Sequence, residues 1–232
     1  MSGTGRIAVI SAGLSDPSST RLLADRLTQA AIGRLGEVGI TATATVIDLG
    51  PLAVDIARAL VAGFPGDRIQ HAIDALATAD AVIAATPVYK AGISGLFKSF
   101  VDLLDNDLLI AKPVVLAATA GSSRHAMVAD DHLRPLFAFF RALPAPTGVF
   151  AAPEDWNTPD LARRIDRAAS ELAQLVATGA GRAIAGVAWG GYQHQFGGNA
   201  PGAEHTTADV DFTTDLMRIA TGGSSLRPRP DA

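Results

Sequence analysis

The chain has 232 residues and contains no cysteine, and this absence excludes several kinds of chemistry. Disulfide bonds, thiolate zinc sites, iron–sulfur ligation and cysteine nucleophiles all require that residue. Lysine is scarce, occurring at Lys90, Lys98 and Lys112, and the formal net charge is −4. Because nucleic-acid binding needs a broad basic surface, we predict no nucleic-acid partner.

Long apolar runs are missing as well. A membrane-spanning helix needs about 20 apolar residues, whereas the richest stretch, Leu108–Ala120, is interrupted by Lys112 and Pro113. The apolar part of the N-terminus is limited to Ile7–Ile10, which is too short for a signal peptide. We therefore expect a soluble cytoplasmic protein with no membrane partner.

Several familiar binding motifs are also absent. Neither the dinucleotide fingerprint G-x-G-x-x-G nor the Walker lysine motif occurs. The histidines are scattered and form no H-x-x-x-H or H-E-x-x-H set, so we predict no metal site. What is present is an apolar fraction of 48% beside 18% charged residues, which indicates a sizeable buried core.

Short β-rich runs alternate with longer helical patterns. The predicted strands are Arg6–Ser11, Thr41–Leu49, Ala81–Ala85, Pro113–Thr119 and Thr147–Phe150. The predicted helices are Ser18–Gly36, Asp67–Ala79, Ser94–Leu104, Ala129–Leu143 and Thr158–Thr178, with a variable connection at Gly50–Phe64. Strands that alternate with helices form a parallel sheet covered on both faces. The sequence therefore predicts an α/β fold with a doubly wound, five-stranded parallel sheet of flavodoxin size.

The character of the chain changes after residue 180. Glycine pairs begin at Gly190, Gly197 and Gly222, and the chain ends in alternating arginine and proline. Asp211–Ala220 is a candidate short helix in this part. We predict one domain over residues 1–180 and a partly flexible C-terminal extension over residues 181–232.

Three loops are candidate ligand sites, because ligands of doubly wound sheets lie beyond the carboxyl ends of the strands. The first is rich in hydroxyl groups: Ser11 ends its strand, and Ser18, Ser19 and Thr20 open the next helix. A helix N-terminus provides free N–H groups and a positive dipole end, which suit a phosphate. Without the dinucleotide motifs, a monophosphate such as that of FMN fits this loop. The alternative is that Ser18 or Ser19 simply caps the helix.

The second loop, Thr86–Gly95, carries Pro87, Val88 and Tyr89 directly after a predicted strand. A flat heteroaromatic ring needs an apolar platform of this kind. The alternative is an ordinary strand-to-helix turn in which Tyr89 serves packing.

The third loop, Ala120–Ala129, begins with Gly121, Ser122 and Ser123. Residues this small expose backbone N–H groups that could bind the carbonyl oxygens of a flavin. The alternative is a plain solvent-exposed loop.

In this order the motifs resemble those of the NAD(P)H-dependent FMN reductases of flavodoxin-like fold. The resemblance covers residues 6–178 and is most specific in Thr86-Pro-Val-Tyr-Lys-Ala and in Ser94-Gly-Leu-Phe-Lys98. The tail segment Asp211–Gly223 is similar to that of reductases partnered with luciferase-like two-component monooxygenases.

The resemblance implies a flavin site built from three groups of residues. Four hydroxyl residues of the first loop would hold the FMN phosphate: Ser11, Ser18, Ser19 and Thr20. Three residues of the second loop would lie along the isoalloxazine: Pro87, Val88 and Tyr89. Three small residues of the third loop would face its pyrimidine edge: Gly121, Ser122 and Ser123.

The resemblance also implies the activity, which is hydride transfer from NAD(P)H to FMN, with reduced FMN passing to a monooxygenase. Arg21 and Arg124 are candidates for contact with the 2′-phosphate of NADPH, and the sequence does not distinguish NADH from NADPH. The cofactors carry this chemistry, so no catalytic side chain is predicted. The alternatives are a flavodoxin-like electron carrier, a quinone or azo reductase that keeps its flavin bound, and a flavin-free interaction domain.

A homodimer or homotetramer is expected through the predicted helix Ser94–Leu104. The resemblance places a subunit contact at Lys98 and Asp102. We expect this helix to have more apolar surface than one core-facing stripe requires, because of four residues: Phe97, Phe100, Val101 and Leu104. The alternative is that Lys98 and Asp102 pair within one helix.

Overall fold

The computed structural model of the protein describes residues 3–189. The strands are β1 (Gly3–Ser11), β2 (Ile40–Asp48), β3 (Ala81–Tyr89), β4 (Gly92–Ile93), β5 (Pro113–Thr119), β6 (Leu143–Pro144) and β7 (Val149–Ala151). The helices are α1 (Ser19–Glu37), α2 (Ala53–Ala62), α3 (Asp67–Thr78), α4 (Gly95–Val101), α5 (Arg134–Phe139), α6 (Pro159–Ala177) and α7 (Ala180–Ala188). The sheet order is β2-β1-β3-β5-β6, and these pairs are parallel. The predicted α/β fold with a doubly wound parallel sheet is confirmed.

The fifth position of the sheet is filled by two short pieces instead of one strand. Leu143 of β6 pairs with the beginning of β5, and Val149 of β7 pairs with its end. Between them the N–H of Ala145 still donates to the carbonyl of Val114, at 2.8 Å. The predicted strand Thr147–Phe150 therefore corresponds to β7 alone.

Strand β3 runs beyond the predicted end at Ala85, so that part of the expected second loop is a hairpin. Val88 and Tyr89 pair antiparallel with β4. The two turn residues, Lys90 and Ala91, have φ values of 50° and 66°. Positive φ at both central residues is typical of the two-residue turn whose twist matches a hairpin. For residues other than glycine this conformation costs about 1 kcal/mol each.

The helices on the second half of the chain differ from the prediction in length. The helix predicted at Ala129–Leu143 consists of one π-helical turn at Ala129–Leu133 followed by α5. The chain leaves the helical conformation because Arg141 has a φ of 56° and its N–H bonds back to the carbonyl of Ala138. In the first half of the chain, the connection Gly50–Phe64, which was predicted as variable, contains the helix α2.

Two apolar layers cover the sheet, one on each face. Successive side chains of a strand point to opposite faces, and in β1 both sets are buried. Ile7 and Val9 pack with α1 and α6, whereas Ala8 and Ile10 pack with the layer formed by α2, α3, α4 and α5. Burial on both faces explains why the central strands have no polar alternation.

Helix α4 contributes its apolar side chains to this core. Three apolar residues of the helix and one of the turn that follows it are buried within the chain: Phe97, Phe100, Val101 and Leu104. The expectation that they leave surplus apolar surface for a second subunit is therefore wrong. Lys98 Nζ lies 2.5 Å from Asp102 Oδ1, which is an exposed pair within the same helix.

Helix α7 packs against α6 at the end of the described residues. A Cβ atom at Gly181 would lie 2.3 Å from the carbonyl oxygen of Ala111, so this approach requires glycine.

The domain boundary at residue 180 stays a prediction, and the candidate helix Asp211–Ala220 lies outside the described residues. Within residues 3–189, none of the helices has the length and apolar character needed to cross a membrane.

Lys112 lies at the amino-terminal edge of the sheet, directly before β5. Its ammonium donates hydrogen bonds to the carbonyl oxygens of Leu76, at 2.5 Å, and Ala77, at 2.9 Å, at the C-terminal end of α3. That end carries the negative pole of the helix dipole. Burial nevertheless lowers the pKa of Lys112 from 10.5 to about 8; Asp80 opposes this shift and Arg6 adds to it.

This pKa predicts that the stability of the protein rises with pH in the alkaline range. Between pH 8 and 10.5 the unfolded chain binds more protons at Lys112 than the folded protein does, so raising the pH favours folding. The contribution reaches at most about 3 kcal/mol. Urea unfolding at several pH values should show this rise in the wild type and a smaller rise in Lys112→Met. Parallel pH profiles of the two proteins would contradict the prediction.

Candidate functional site

The ends of β1, β3 and β5 meet at one edge of the sheet. Ser11 lies beside Ala85 in the register of β1 and β3, and the N–H of Ala12 donates to the carbonyl of Ala85, at 3.1 Å. Pro87 lies beside Thr119 in the register of β3 and β5. The three loops singled out in the sequence therefore follow neighbouring strands at the carboxyl edge.

The first loop ends at a capped helix. Ser18 is the N-cap of α1, and its Oγ accepts a hydrogen bond from the N–H of Arg21, at 3.1 Å. The capping alternative for Ser18 is therefore confirmed. Ser19 is exposed at the first helical position, where backbone N–H groups have no partner within the helix. A phosphate in front of α1 would meet these donors and the exposed hydroxyl of Ser19.

Close packing makes this loop a narrow turn. A Cβ atom at Gly13 would lie 1.9 Å from Ser18 Oγ, so only glycine fits there. Ser11 is buried, and its hydroxyl has no hydrogen-bond partner among residues 3–189. Because an unsatisfied buried hydroxyl is costly, Ser11 fits a site that a ligand oxygen completes.

Thr20 has a different neighbour from the one the sequence suggested. Its side chain is buried, and its Oγ1 lies 2.7 Å from Thr119 Oγ1. This contact joins the start of α1 to the end of β5 and so holds the first and third loops together. Thr119 was missed in the sequence, although its place as the last strand residue before a candidate loop is a signal for it.

The hairpin formed by β3 and β4 carries the predicted ring platform. Pro87 is buried, Val88 is half-buried, and Tyr89 is 48% exposed. The base of the hairpin is closed by Thr86, whose Oγ1 accepts from the N–H of Ser94, at 3.1 Å, and donates to the carbonyl of Pro87. The ring of Tyr89 is therefore accessible to a ligand, and the base of the hairpin that carries it is held by hydrogen bonds.

The third loop leaves β5 beside the end of β7. The N–H of Ala120 donates to the carbonyl of Ala151, at 3.2 Å. Gly121 and Ser123 are exposed, whereas Ser122 is half-buried and its Oγ accepts from the N–H of Arg124, at 3.4 Å. The loop offers small residues and accessible backbone to a ligand at this edge.

These three loops fit a phosphorylated flavin. The first offers helix N–H groups, hydroxyls and an orphan buried oxygen to a phosphate, and the hairpin and third loop offer an aromatic face and small residues to a ring. Within residues 3–189, no three side chains of histidine, aspartate or glutamate gather where they could hold a metal ion.

Comparison with known proteins agrees with this chemistry. Residues 5–157 match the family described as NADPH-dependent FMN reductase. The chain is 37% identical over 180 residues to FMN reductase (NADPH) of Pseudomonas aeruginosa, covering 75% of this chain and 94% of that protein. It is 39% identical over 184 residues to the NADH-dependent FMN reductase SfnF of Pseudomonas fluorescens, covering 77% and 95% respectively.

Solved structures show the same architecture. An oxidoreductase from Corynebacterium diphtheriae is similar with a TM-score of 0.74 and 43% identity, covering 76% of this chain and 99% of that chain. A flavodoxin, WrbA-like protein from Agrobacterium tumefaciens has a TM-score of 0.52 at 19% identity, covering 76% and 99% respectively, which supports the flavodoxin-like fold.

The family match spans well over half of the chain, and the two Pseudomonas relatives cover three quarters of it. The predicted class of enzyme, an oxidoreductase that uses FMN and NAD(P)H, is thereby confirmed. The chain belongs to the NADPH-dependent FMN reductase family.

Proposed function

We propose that the three loops at the carboxyl edge hold FMN for hydride transfer from NAD(P)H, and that the protein supplies reduced FMN to a partner monooxygenase. One observation supports placing FMN at this edge of the sheet. The exposed start of α1, the hairpin with Tyr89 and the loop at Gly121 lie on three adjacent strand ends.

The phosphate end of the site lies at the first loop. Ser18 and Ser19 provide the hydroxyls nearest the start of α1, and Ser11 adds a buried oxygen without a described partner. Thr20 provides its backbone N–H in the first helical turn, while its hydroxyl binds Thr119. The N-terminus is the positive end of the helix dipole, so it stabilises the negative charge of a phosphate.

The ring end lies between the hairpin and the third loop. Pro87, Val88 and Tyr89 form one apolar side, and the backbone from Gly121 to Ser123 faces the polar edge of the ring. When bound, FMN supplies the ring that accepts the hydride. The residues of the site position two flat rings against each other, and orientation of this kind is a major part of catalysis.

The phosphate assignment predicts how Ser19→Ala changes flavin binding. Loss of one charge-assisted hydrogen bond, worth about 1.5–3 kcal/mol, should raise the Kd of FMN about tenfold or more. Riboflavin, which has no phosphate, should bind as it does to the wild type. Titration calorimetry with both flavins measures the difference, and helix capping is preserved because Ser18 is the cap.

Ser123→Ala is the matched control, since it removes a hydroxyl at the ring end. It is expected to affect FMN and riboflavin equally. If Ser19→Ala weakens both flavins to the same extent, the phosphate is bound elsewhere.

Tyr89 is the single phenylalanine, tyrosine or tryptophan on the three loops. One aromatic platform leaves the other face of the ring open to nicotinamide and buries less of the flavin than two would. We therefore propose that FMN exchanges readily and that reduced FMN leaves for a monooxygenase in the cytoplasm.

Exchange predicts that purified protein loses FMN on desalting and that turnover saturates with added FMN. The flavin absorbance before and after desalting measures the first. Steady-state oxidation of NADH and NADPH, with and without FMN, FAD and riboflavin, measures the second. Full occupancy after dialysis, with turnover indifferent to free FMN, would instead identify a bound-flavin quinone or azo reductase or an electron carrier.

We also propose that the protein is a homodimer or homotetramer, with a second copy covering the surface between α4 and α5. Phe139 is 60% exposed there, beside the half-buried Leu136. These residues line a groove of about 360 Å³ together with Lys98 and Asp102. An exposed aromatic side chain at a groove with a charged rim is typical of an interface.

This surface predicts that Phe139→Asp reduces the mass measured by light scattering at micromolar concentration, because a buried unpaired charge disfavours association. Val61→Asp is the matched control, since Val61 on α2 is 91% exposed and is not among the residues that line the groove. A monomeric wild type would refute the oligomer, and dissociation by Val61→Asp alone would refute the surface.

A further inference from the structure

A cavity of about 450 Å³ adjoins the first loop on the side of β2. Its walls include Leu14, Ser18 and Arg21 from the loop and α1, and Asp48 and Pro51 from the end of β2 and the turn after it. The proposed flavin ring lies toward β3 and β5, which are on the other side of β1. The first loop therefore separates the cavity from the ring.

Asp48, the last residue of β2, brings a carboxylate to the wall of this cavity. Its Oδ1 accepts from the N–H of Gly50, at 3.3 Å, and its Oδ2 lies 3.7 Å from Arg21 Nη1. The side chain is 41% exposed. Because two carboxylate oxygens offer about four acceptor sites, Asp48 retains acceptor capacity for hydroxyl groups that enter the cavity.

The charges around the cavity select for a neutral group. Arg21 is held by Asp25, at 2.8 Å from Nε to Oδ1, and faces Asp48 as well. Asp16 is a further carboxylate on the wall. Carboxylates therefore outnumber the guanidinium, which disfavours a phosphate deep in this cavity and favours a group rich in hydroxyls.

The cavity also has an apolar side. Leu14 is 56% exposed, and Pro51 is exposed. An apolar surface beside a hydrogen-bonding group is what a flat base attached to a sugar needs, and the volume lies within the range of small-molecule sites.

We propose that this cavity binds the adenosine of a dinucleotide, with Asp48 accepting hydrogen bonds from the ribose hydroxyls. The inference rests on the proposed function, because it takes the first loop as the site of the flavin phosphate. The adenosine has two sources. In FAD the adenosine is attached through the phosphate that FMN also carries, and the cavity adjoins the loop proposed to hold that phosphate. NADH carries its adenosine at the end opposite the nicotinamide.

Asp48→Asn in the full chain tests this inference, and Asp25→Asn is its matched control. Both variants remove a carboxylate that contacts Arg21, but Asp25 is not part of the cavity wall. Titration calorimetry gives the Kd of FMN and of FAD, and steady-state kinetics with FMN as acceptor give the KM of NADH and NADPH. In Asp48→Asn either the Kd of FAD or the KM of NADH is expected to rise about tenfold, while the Kd of FMN changes less than twofold. In Asp25→Asn the Kd values of both flavins and the KM values of NADH and NADPH are expected to change less than twofold.

The two sources give different results. A higher Kd for FAD with an unchanged KM for NADH identifies the adenosine of FAD. A higher KM for NADH, with an unchanged or lower KM for NADPH, identifies the nicotinamide nucleotide, because loss of the carboxylate charge relieves repulsion of the 2′-phosphate. Unchanged constants for FAD, NADH and NADPH overturn the inference. Equal weakening of FMN overturns it too, since Asp48 would then only support the loop.

Adenosine provides a test that needs no variant. In the wild type it is expected to compete with FAD or NADH and not with FMN, since it has no phosphate for the first loop. Absence of competition at millimolar adenosine overturns the inference even where Asp48→Asn does not fold. A wild type that neither binds FMN nor oxidises NAD(P)H would refute the proposed function itself, which is a separate result.

Discussion

Parallel hydrogen bonding between β1, β3 and β5 is the constraint on which the site depends. The register aligns Ser11 with Ala85 and Pro87 with Thr119. Since parallel strands need long crossover connections, all three carboxyl ends fall on one edge and the helices fall on the faces. The two buried faces hold this register, because a slip of one residue would exchange the side chains that pack against the two helix layers.

Polar contacts between distant residues then shape the loops on that edge. The hydroxyls of Thr20 and Thr119 join the first loop to the third, and Thr86 closes the base of the hairpin through Ser94. These groups are buried, so leaving one of them without its partner would be costly. The strained turn at Lys90 and Ala91 is held by the pairing of the strands on either side.

The first loop has two environments, and their electrostatics differ. Its helix end presents N–H groups and the positive pole of α1 to an anion. On the other side, Asp48 and Asp16 share the cavity wall with Arg21 and make the cavity suited to neutral hydroxyl groups. The two sides of this loop thus suit different chemical groups, an anion at the start of α1 and hydroxyl groups in the cavity.

The sequence by itself determined the alternation of strands and helices, the parallel sheet, the family and the three loops. These features follow from local patterns: apolar runs of strand length, helical spacing, and glycine, serine and proline at the turns. Pro113–Thr119 was predicted as a strand with the bounds that the structure has, because a short apolar run with β-branched residues between turn signals favours a strand over a helix.

Only the tertiary structure decided which groups meet. Thr20 and Thr119 are 99 residues apart, and no local pattern indicates their contact. Phe97 and Phe100 fill the core and not an interface, because α2 and α5 pack with α4 on the same face of the sheet and cover these two side chains. Tyr89 belongs to a strand because β4 folds back to pair with it. The first two depend on contacts between distant parts of the chain, whose geometry forms only when the whole sheet does. The hairpin is local, but its turn residues, Lys90 and Ala91, are not the glycine or asparagine that signal such a turn in a sequence.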